Sequence, residues 1–257
     1  MQVPKTIYKY RDWSCENHRK ILTNNEIYLA SPATFNDPFD CKISTHYLSL
    51  DTPEKISSYI QKKQVESETE LTKDNIEILR YRLTNIRDYW DMFEAFELSL
   101  FDQNYGILSL SARWDSILMW SHYANLHKGF CVGFNEEKLR NSGHFGFGGS
   151  VIYANDFPII NPLEIDEKTA FLQLQYKATD WKYEEEYRLN KLFFPEIPTD
   201  EDRKIILDDE IIDEVIVGMN SNREVTNEII KICKRKNIKV YGASRQPYKF
   251  GVVRYEL

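Results

Sequence analysis

The chain of 257 residues is 42% hydrophobic and 28% charged, ordinary values for a globular protein with the length to bury a sizeable core. That balance excludes a wholly disordered chain. The net charge of -7 argues against a generally basic nucleic-acid-binding surface and leaves room only for a local basic groove. There is no run of about 18 apolar residues, so no membrane span is predicted. The start, MQVPKTIYKYRDW, lacks the apolar h-region of a signal peptide, and a cytoplasmic protein is expected.

Thr6 to Trp13 reads as a first strand. Ser14 is placed to cap a short helix running through Leu22, with Ile21 and Leu22 on its buried face and Asn24-Asn25 as its stop. Glu26 to Pro32 is a second strand, followed by a turn at Asn36-Asp37-Pro38. From Asp51 to about Tyr105 the texture is helical. Thr52-Pro53-Glu54 is a helix start, and Ile76, Leu79, Leu83, Ile86, Trp90, Phe93, Phe96 and Leu100 recur every three or four residues, which predicts one long amphipathic helix facing the sheet core. The intervening QKKQVESETELTKD is polar and expected to be exposed. Strands follow at Gly106 to Trp114 and Lys128 to Asn135, with a short helix between them, SILMWSHYANLH, capped by Asp115. The loop beginning HFGFGG at His144 reads as flexible, then come a strand in GSVIYAND and a helix around Glu167 to Tyr176. IIDEVIVGMN is a buried strand, SNREVTNEIIKICKRKN a capped amphipathic helix, and IKVYGASRQ and FGVVRYEL closing strands. The pattern predicts a single domain, residues 1–257, of the α+β class, with a mixed or antiparallel sheet and a helical insertion at about 51–105.

WKYEEEYRLNKLFF, residues 181–194, reads as a strand despite three consecutive glutamates. Alternation would put Glu184, Glu186 and Arg188 on one face and Tyr183, Glu185 and Tyr187 on the other. Two carboxylates about 7 Å apart can hold a substrate hydroxyl; the competing reading is an exposed, charged edge strand that discourages aggregation. Ser109 and Ser111 share a face and suit either a ligand cleft or a polar outer surface. In YKYR, Tyr8 and Tyr10 share one face and Lys9 and Arg11 the other; an arginine near a strand end is a phosphate or carboxylate clamp or a solvated charge. Trp120 and Tyr123, three apart, can stack on a ring or pack the core, and His122 is an active-site polar group or an ordinary histidine. His122 and His127, five apart, make a poor metal site. Cys15, Cys41, Cys131 and Cys233 form no CxxC pair, which predicts free or buried thiols. There is no P-loop, no GxGxxG after a strand, no HExxH and no GxSxG.

YKYR, KIL-TNNEIYLASPATFNDPFD, LSLSARWDSILMWSHYANLHKGFCVGF and WKYEEEYRL, in that order, resemble the family labelled domain of unknown function 2971, over most of the chain outside the helical insertion. More distantly, the opening strand, the helix ending in IL and the EIYLAS segment are similar to the start of ADP-ribosyltransferase-like proteins. That superfamily carries an Arg or His on the first strand, a Ser-x-Ser or Tyr element on a middle strand and a Glu, often Glu-x-Glu, on a later one. Arg11 (or Lys9), Ser109-Leu110-Ser111 and Glu184-Glu185-Glu186 stand here in that order, although Lys9-Tyr10 replaces the usual His-Tyr pair.

The resemblance implies a split sheet and NAD as co-substrate. Arg11, with Lys9 and Tyr10 beside it, would hold the phosphates or ribose; Ser109 and Ser111 would line the nicotinamide cleft. Trp120 or Tyr123 would stack on the ring, with His122 nearby. Glu186 would hold the nicotinamide-ribose hydroxyl and stabilise an oxocarbenium-like transition state, and Glu184 would orient the acceptor. The function expected is transfer of ADP-ribose from NAD to a protein or nucleic-acid acceptor, in toxin or phage-defence biology, with Glu186→Gln inactive at a nearly unchanged melting temperature. Two alternatives stand beside it. One is a non-catalytic module sensing a nucleotide or a phage component; the other is a nuclease holding Mg²⁺ on Asp37, Asp40, Glu184 and Glu186.

Overall fold

The structure, a computed structural model, describes residues 3–66, 72–86, 88–165 and 167–257. It is α+β with a mostly antiparallel eight-stranded sheet. The strands of that sheet are β1 (Thr6–Arg11), β3 (Tyr105–Ser111), β4 (Phe130–Asn135), β5 (Phe147–Ser150), β8 (Glu186–Leu192), β10 (Ile212–Val217), β11 (Lys239–Arg245) and β12 (Val252–Glu256), in the spatial order β12-β11-β10-β4-β1-β3-β8-β5. Two small two-stranded sheets pair β2 (Glu26–Tyr28) with β9 (Lys204–Ile206), and β6 (Ile152–Ala154) with β7 (Tyr176–Ala178). Only β10–β11 and β6–β7 are parallel among these pairs.

One pairing decides the shape of the site. β1 pairs with β4 over its whole length, and β3 pairs with β8 over its whole length, but β1 and β3 share only the register Tyr8↔Ser111. Beyond it the strands part, so Lys9 to Arg11 face Ile107 to Leu110 across a fork in the sheet. The chain after β2 enters this fork, where Ala30 bridges Ile107. Gly129 holds the end of β1 in place: a Cβ there would stand 2.1 Å from the Arg11 carbonyl oxygen.

The largest apolar core lies on one face of the sheet. Ile7, Leu108, Leu110, Val132, Phe134, Leu189 and Val215 meet Ile21 and Leu22 of α1 (Glu16–Thr23) and Ile229, Ile232 and Cys233 of α8 (Arg223–Arg235). Asn222 caps α8 by accepting from Val225 N–H. Ser14 does not cap α1 as expected. Cys15 occupies that position without a side-chain bond, and the Ser14 hydroxyl donates to Asp12. Asp115 likewise yields to Ser116 as the cap of α5 (Ile117–Tyr123) and pairs with Arg113 instead. The helix ends at Tyr123, earlier than the sequence suggests, because Asn125, Leu126 and His127 take left-handed backbone angles and turn the chain back toward β4. The turn is closed by His127 N–H donating to the Trp120 carbonyl and Gly129 N–H to that of Ala124. The loop expected to be flexible after His144 contains β5, paired to β8 from Phe147↔Asn190 to Ser150↔Tyr187.

The expected long helix is two helices, α3 (Lys73–Asn85) and α4 (Tyr89–Asn104), preceded by α2 (Pro53–Glu66). Ile86 is extended, with ψ of 108°, and this breaks the run. The break lets the helices surround a separate core, while the end of α4 packs on the sheet through Phe101, which stacks on Tyr105. Tyr47, Leu50, Ile56, Tyr59, Ile60 and Leu83 are buried there against Trp90 and Phe93, and Tyr47 stacks on Trp90 at 5.1 Å. Phe96 and Leu100 stay exposed on α4. Of the polar stretch 61–74, residues 67–71 lie outside the described residues. No described helix is long and apolar enough to cross a membrane.

A core of its own makes this helical block separable in stability from the sheet. Leu83→Ala is expected to remove about 2–5 kcal/mol from it. Hydrogen exchange should then speed up across α2 to α4 while the amides of β10 keep their protection. Uniform loss of protection through both regions would show that the block has no independent core.

Candidate functional site

A cleft of about 370 Å³ opens at the fork between β1 and β3. One wall carries Lys9 and Arg11; the other carries Ser109, Glu184 and Glu186, with Tyr123, Lys177 and Asp40. Tyr28 of β2, and Thr34 and Phe35 from the segment after it, add to the lining.

The glutamates reach the cleft by a route that strand alternation does not give. Residues Thr179–Glu184 form a 3-10 turn, Glu185 is left-handed at φ 43°, and the strand begins only at Glu186. The single left-handed residue turns Glu185 outward, half-exposed and paired with Arg113 at 3.1 Å. Glu184 and Glu186 are left buried on either side of one ammonium. Lys177 Nζ donates to Glu184 Oε2 at 2.6 Å and to Glu186 Oε2 at 2.9 Å. Arg188, on the same sheet face as Glu186 and with no exposed surface, donates to both Glu186 oxygens and through Nη2 to both oxygens of Asp40, at 2.7–2.9 Å. Its Nη1 reaches the Leu174 carbonyl at 2.7 Å and Cys41 Sγ at 3.2 Å. Three carboxylates thus surround two cations in a nearly dry volume, where pairing is obligatory.

The electrostatics follow. Burial by itself would raise the Glu186 carboxyl, but Arg188 and then Lys177 outweigh it and hold it far below the ordinary carboxylate range. Burial opposes the charge on Lys177, yet Glu186, Asp40 and Glu184 push its ammonium above the usual lysine value. Tyr123, whose hydroxyl donates to Glu184 Oε1 at 2.7 Å, is raised by burial and then by that carboxylate. The opposite wall behaves differently. Lys9 is driven well below the lysine range by burial and by neighbouring Arg11, with Glu186 and Glu184 offsetting only part. Its ammonium crosses the fork to the Ser109 carbonyl. Arg11 has no hydrogen-bond or ion-pair partner among the described residues, and burial lowers its guanidinium to about 10.

Of the residues singled out in the sequence, Lys9, Tyr10, Arg11, Ser109, Tyr123, Glu184 and Glu186 line this cleft. Three do not. Ser111 is fully buried and donates to the Glu184 backbone carbonyl, so it holds the 3-10 turn rather than a ligand. Trp120 has no exposed surface, packs edge-on against Tyr10 at 5.2 Å and donates to the Trp114 carbonyl, so it cannot stack on a bound ring. His122 is exposed beside Tyr183. Tyr10 contributes to the lining, but its hydroxyl is taken by the Arg113 carbonyl. Asp37 serves its own turn by accepting from Phe39 N–H. Asp40, Glu184 and Glu186 do converge, but Lys177 and Arg188 fill the space a cation would take, and among the described residues no acidic, His or Cys group is arranged to hold a metal ion. Sequence reasoning missed Lys177. The only hint is that a run of glutamates entering a core needs cations, and nothing in the sequence separates buried Lys177 from exposed Lys182.

Residues 119–189 match the model of a family described as a protein of unknown function, DUF2971. The matched segment holds Tyr123, Lys177, Glu184, Glu186 and Arg188, and it supports the resemblance seen in the MWSHYA…HKGFC and WKYEEEYRL blocks. No curated protein and no solved structure matches the chain, so the likeness to ADP-ribosyltransferase-like proteins rests on this chain's residues alone.

The ion network makes two outcomes measurable. Arg188→Met leaves buried carboxylates without their guanidinium and is expected to destabilise the fold by about 3–5 kcal/mol in urea unfolding, with Arg188→Lys rescuing little because the paired geometry is lost. A variant as stable as the wild type would show that the network is not formed. Because Glu186 has a lower pKa folded than unfolded, its contribution is present above the unfolded value of 4.5 and drains away as pH falls below it. Urea midpoints taken between about pH 6 and about pH 3 should fall, and fall less steeply in Glu186→Gln.

Proposed function

We propose that the cleft binds NAD and cleaves its nicotinamide–ribose bond, transferring ADP-ribose to a macromolecular acceptor. The observation that carries this reading is the polarity of the cleft. Its β8 side presents the carboxylates of Glu184 and Glu186, and its β1 side presents the unpartnered Arg11 guanidinium. A dinucleotide with a cationic ring at one end and a diphosphate beyond it matches that polarity end for end. Of the ordered elements that resemble ADP-ribosyltransferases, Arg11 lies on β1, Ser109 and Ser111 on β3 and Glu186 on the neighbouring β8, with Glu184 in the turn before it.

Departure of nicotinamide leaves positive charge on the ribose, and fixed carboxylates stabilise such charge as it develops. The hydrogen-bond inventory distributes the work. A carboxylate has about four acceptor sites. Glu186 has three occupied, by Arg188 twice and Lys177 once, and Glu184 has two, by Tyr123 and Lys177. In this reading Glu186 supplies fixed negative charge, and Glu184, with more capacity left, takes a ribose or acceptor hydroxyl. Ser109 would contact the ring, and Arg11 the diphosphate. A non-catalytic nucleotide-sensing module is the second reading, favoured by the near saturation of Glu186; it predicts stabilisation by NAD without nicotinamide release.

Purified protein incubated with NAD and a cell extract as acceptor source should release nicotinamide. Glu184→Gln and Glu186→Gln are each expected to reduce that rate by about 10²–10³. Because Glu186 is locked in the ion network, its variant should also melt lower, contrary to what the sequence alone suggests, so rates are compared well below its unfolding midpoint. Wild-type turnover in both folded variants, or no release by the wild type, defeats the enzymatic reading.

A further inference from the structure

A second cleft, of about 500 Å³, adjoins the first and shares with it Lys9, Arg11 and Tyr28. It is lined further by His18 and Ile21 of α1, by Glu26 and Ile27 of β2, by Leu108, and by Lys204 of β9 with Asp200 and Glu201 just before it. The two clefts meet where Lys9 crosses the fork to Ser109.

Its charges divide into partnered and unpartnered ones. The acids are already engaged: Asp200 accepts from the Tyr28 hydroxyl at 3.1 Å, Glu201 pairs with Lys204, and Glu26 lies 3.9 Å from Lys20. The inner groups are donors. Arg11 has no partner among the described residues. Lys9 has the Ser109 carbonyl alone, and no anion. His18 accepts from Asp12 N–H through Nδ1 at 3.3 Å, which puts the proton of its neutral ring on Nε2. A half-buried guanidinium without an anion beside it is unfavourable, and an anionic ligand removes that deficit. The volume is far more than one phosphate needs, and Ile21, Ile27 and Leu108 supply an apolar floor.

We propose that this second cleft, which shares Arg11 and Lys9 with the first and differs from it in His18 and the apolar floor, binds a small phosphomonoester with an apolar or heteroaromatic body, its phosphate held by Arg11, Lys9 and His18. The site does not depend on bond cleavage in the first cleft, and the two readings can fail separately: His18 lines only the second cleft, and Ser109, Tyr123 and Glu184 only the first.

The test is calorimetric titration of the full chain with adenosine 5′-monophosphate, with adenosine and inorganic phosphate as separate arms. The monophosphate should bind at least about tenfold more tightly than adenosine, and more tightly than free phosphate. Arg11→Ala and Arg11→Lys should each weaken it about tenfold or more, and His18→Ala by several-fold. His18 is a partly exposed helix residue, so its variant keeps the test open if the Arg11 variants fold poorly. Ser109→Ala should leave the affinity as in the wild type. Equal binding of the monophosphate and adenosine overturns the proposal. So does a loss with Ser109→Ala that His18→Ala does not reproduce, because the ligand then sits in the first cleft.

Discussion

Arg188 is the constraint on which the site depends. A guanidinium with no exposed surface can exist in a protein core only if its donors are nearly all met. Meeting them draws two other segments onto the strand that carries Arg188 and Glu186: Asp40 and Cys41 from the turn after β2, and the Leu174 carbonyl from the end of α7 (Glu167–Gln175). Its guanidinium carbon lies over the Phe35 ring, 5.7 Å from the centroid. Lys177 then extends the network to Glu184 and is covered in turn by Trp181 at 4.8 Å. The floor of the cleft is therefore assembled from segments far apart in sequence, held by this charge network together with the apolar cluster of Cys41, Ile107 and Leu174. The helical block, by contrast, is built on stacked aromatics around Tyr47.

The second organising feature is the incomplete seam between β1 and β3. A continuous ladder from Tyr8↔Ser111 onward would have set Lys9 to Arg11 beside Ser109 and Leu110 and left no cavity. A single register pair instead keeps the strands joined at one end and open at the other. Lys9 and Arg11 line both clefts because they stand at this opening. Gly129 and the left-handed run from Asn125 to His127 fix the far side of the same strand, which gives the HKGF segment a structural role.

Much of this was legible in the sequence, and the failures share a cause. Strands with strong alternation or continuous apolar character, such as IIDEVIV, and helices with clear caps, such as that after Asn222, stand where pattern places them. The gathering of Lys9, Arg11, Ser109, Glu184 and Glu186 was also accessible, through their order along the chain. Pattern cannot report a single residue that leaves its register. Glu185 in the left-handed region and Ile86 in the extended one each redirect a chain whose hydrophobic period runs on undisturbed. It also cannot tell which hydroxyl faces in. Ser109 and Ser111 are equivalent by alternation, yet Ser111 is taken by the turn that presents Glu184. Lys177 was hidden for the same reason, and Asp40, singled out in the sequence only as a candidate Mg²⁺ ligand, instead accepts from Arg188: both roles come from tertiary approach, and the local sequence gives no sign of it.

The pairing of Glu186 also limits what chemistry the cleft can perform. A carboxylate held far below its ordinary pKa by Arg188 and Lys177 is a weak proton acceptor, because efficient general bases have pKa values near the working pH. The same pairing keeps its charge fixed and its position defined, which suits stabilisation of a developing cation with little reorganisation. Glu184 shares the ammonium but not the guanidinium, and its remaining partner, Tyr123, is a neutral donor whose own proton is firmly held. The two carboxylates are therefore unequal despite their nearness in sequence. For the reaction proposed above, bond cleavage driven by charge separation fits this floor better than abstraction of a proton by Glu186, and activation of an acceptor would fall to Glu184.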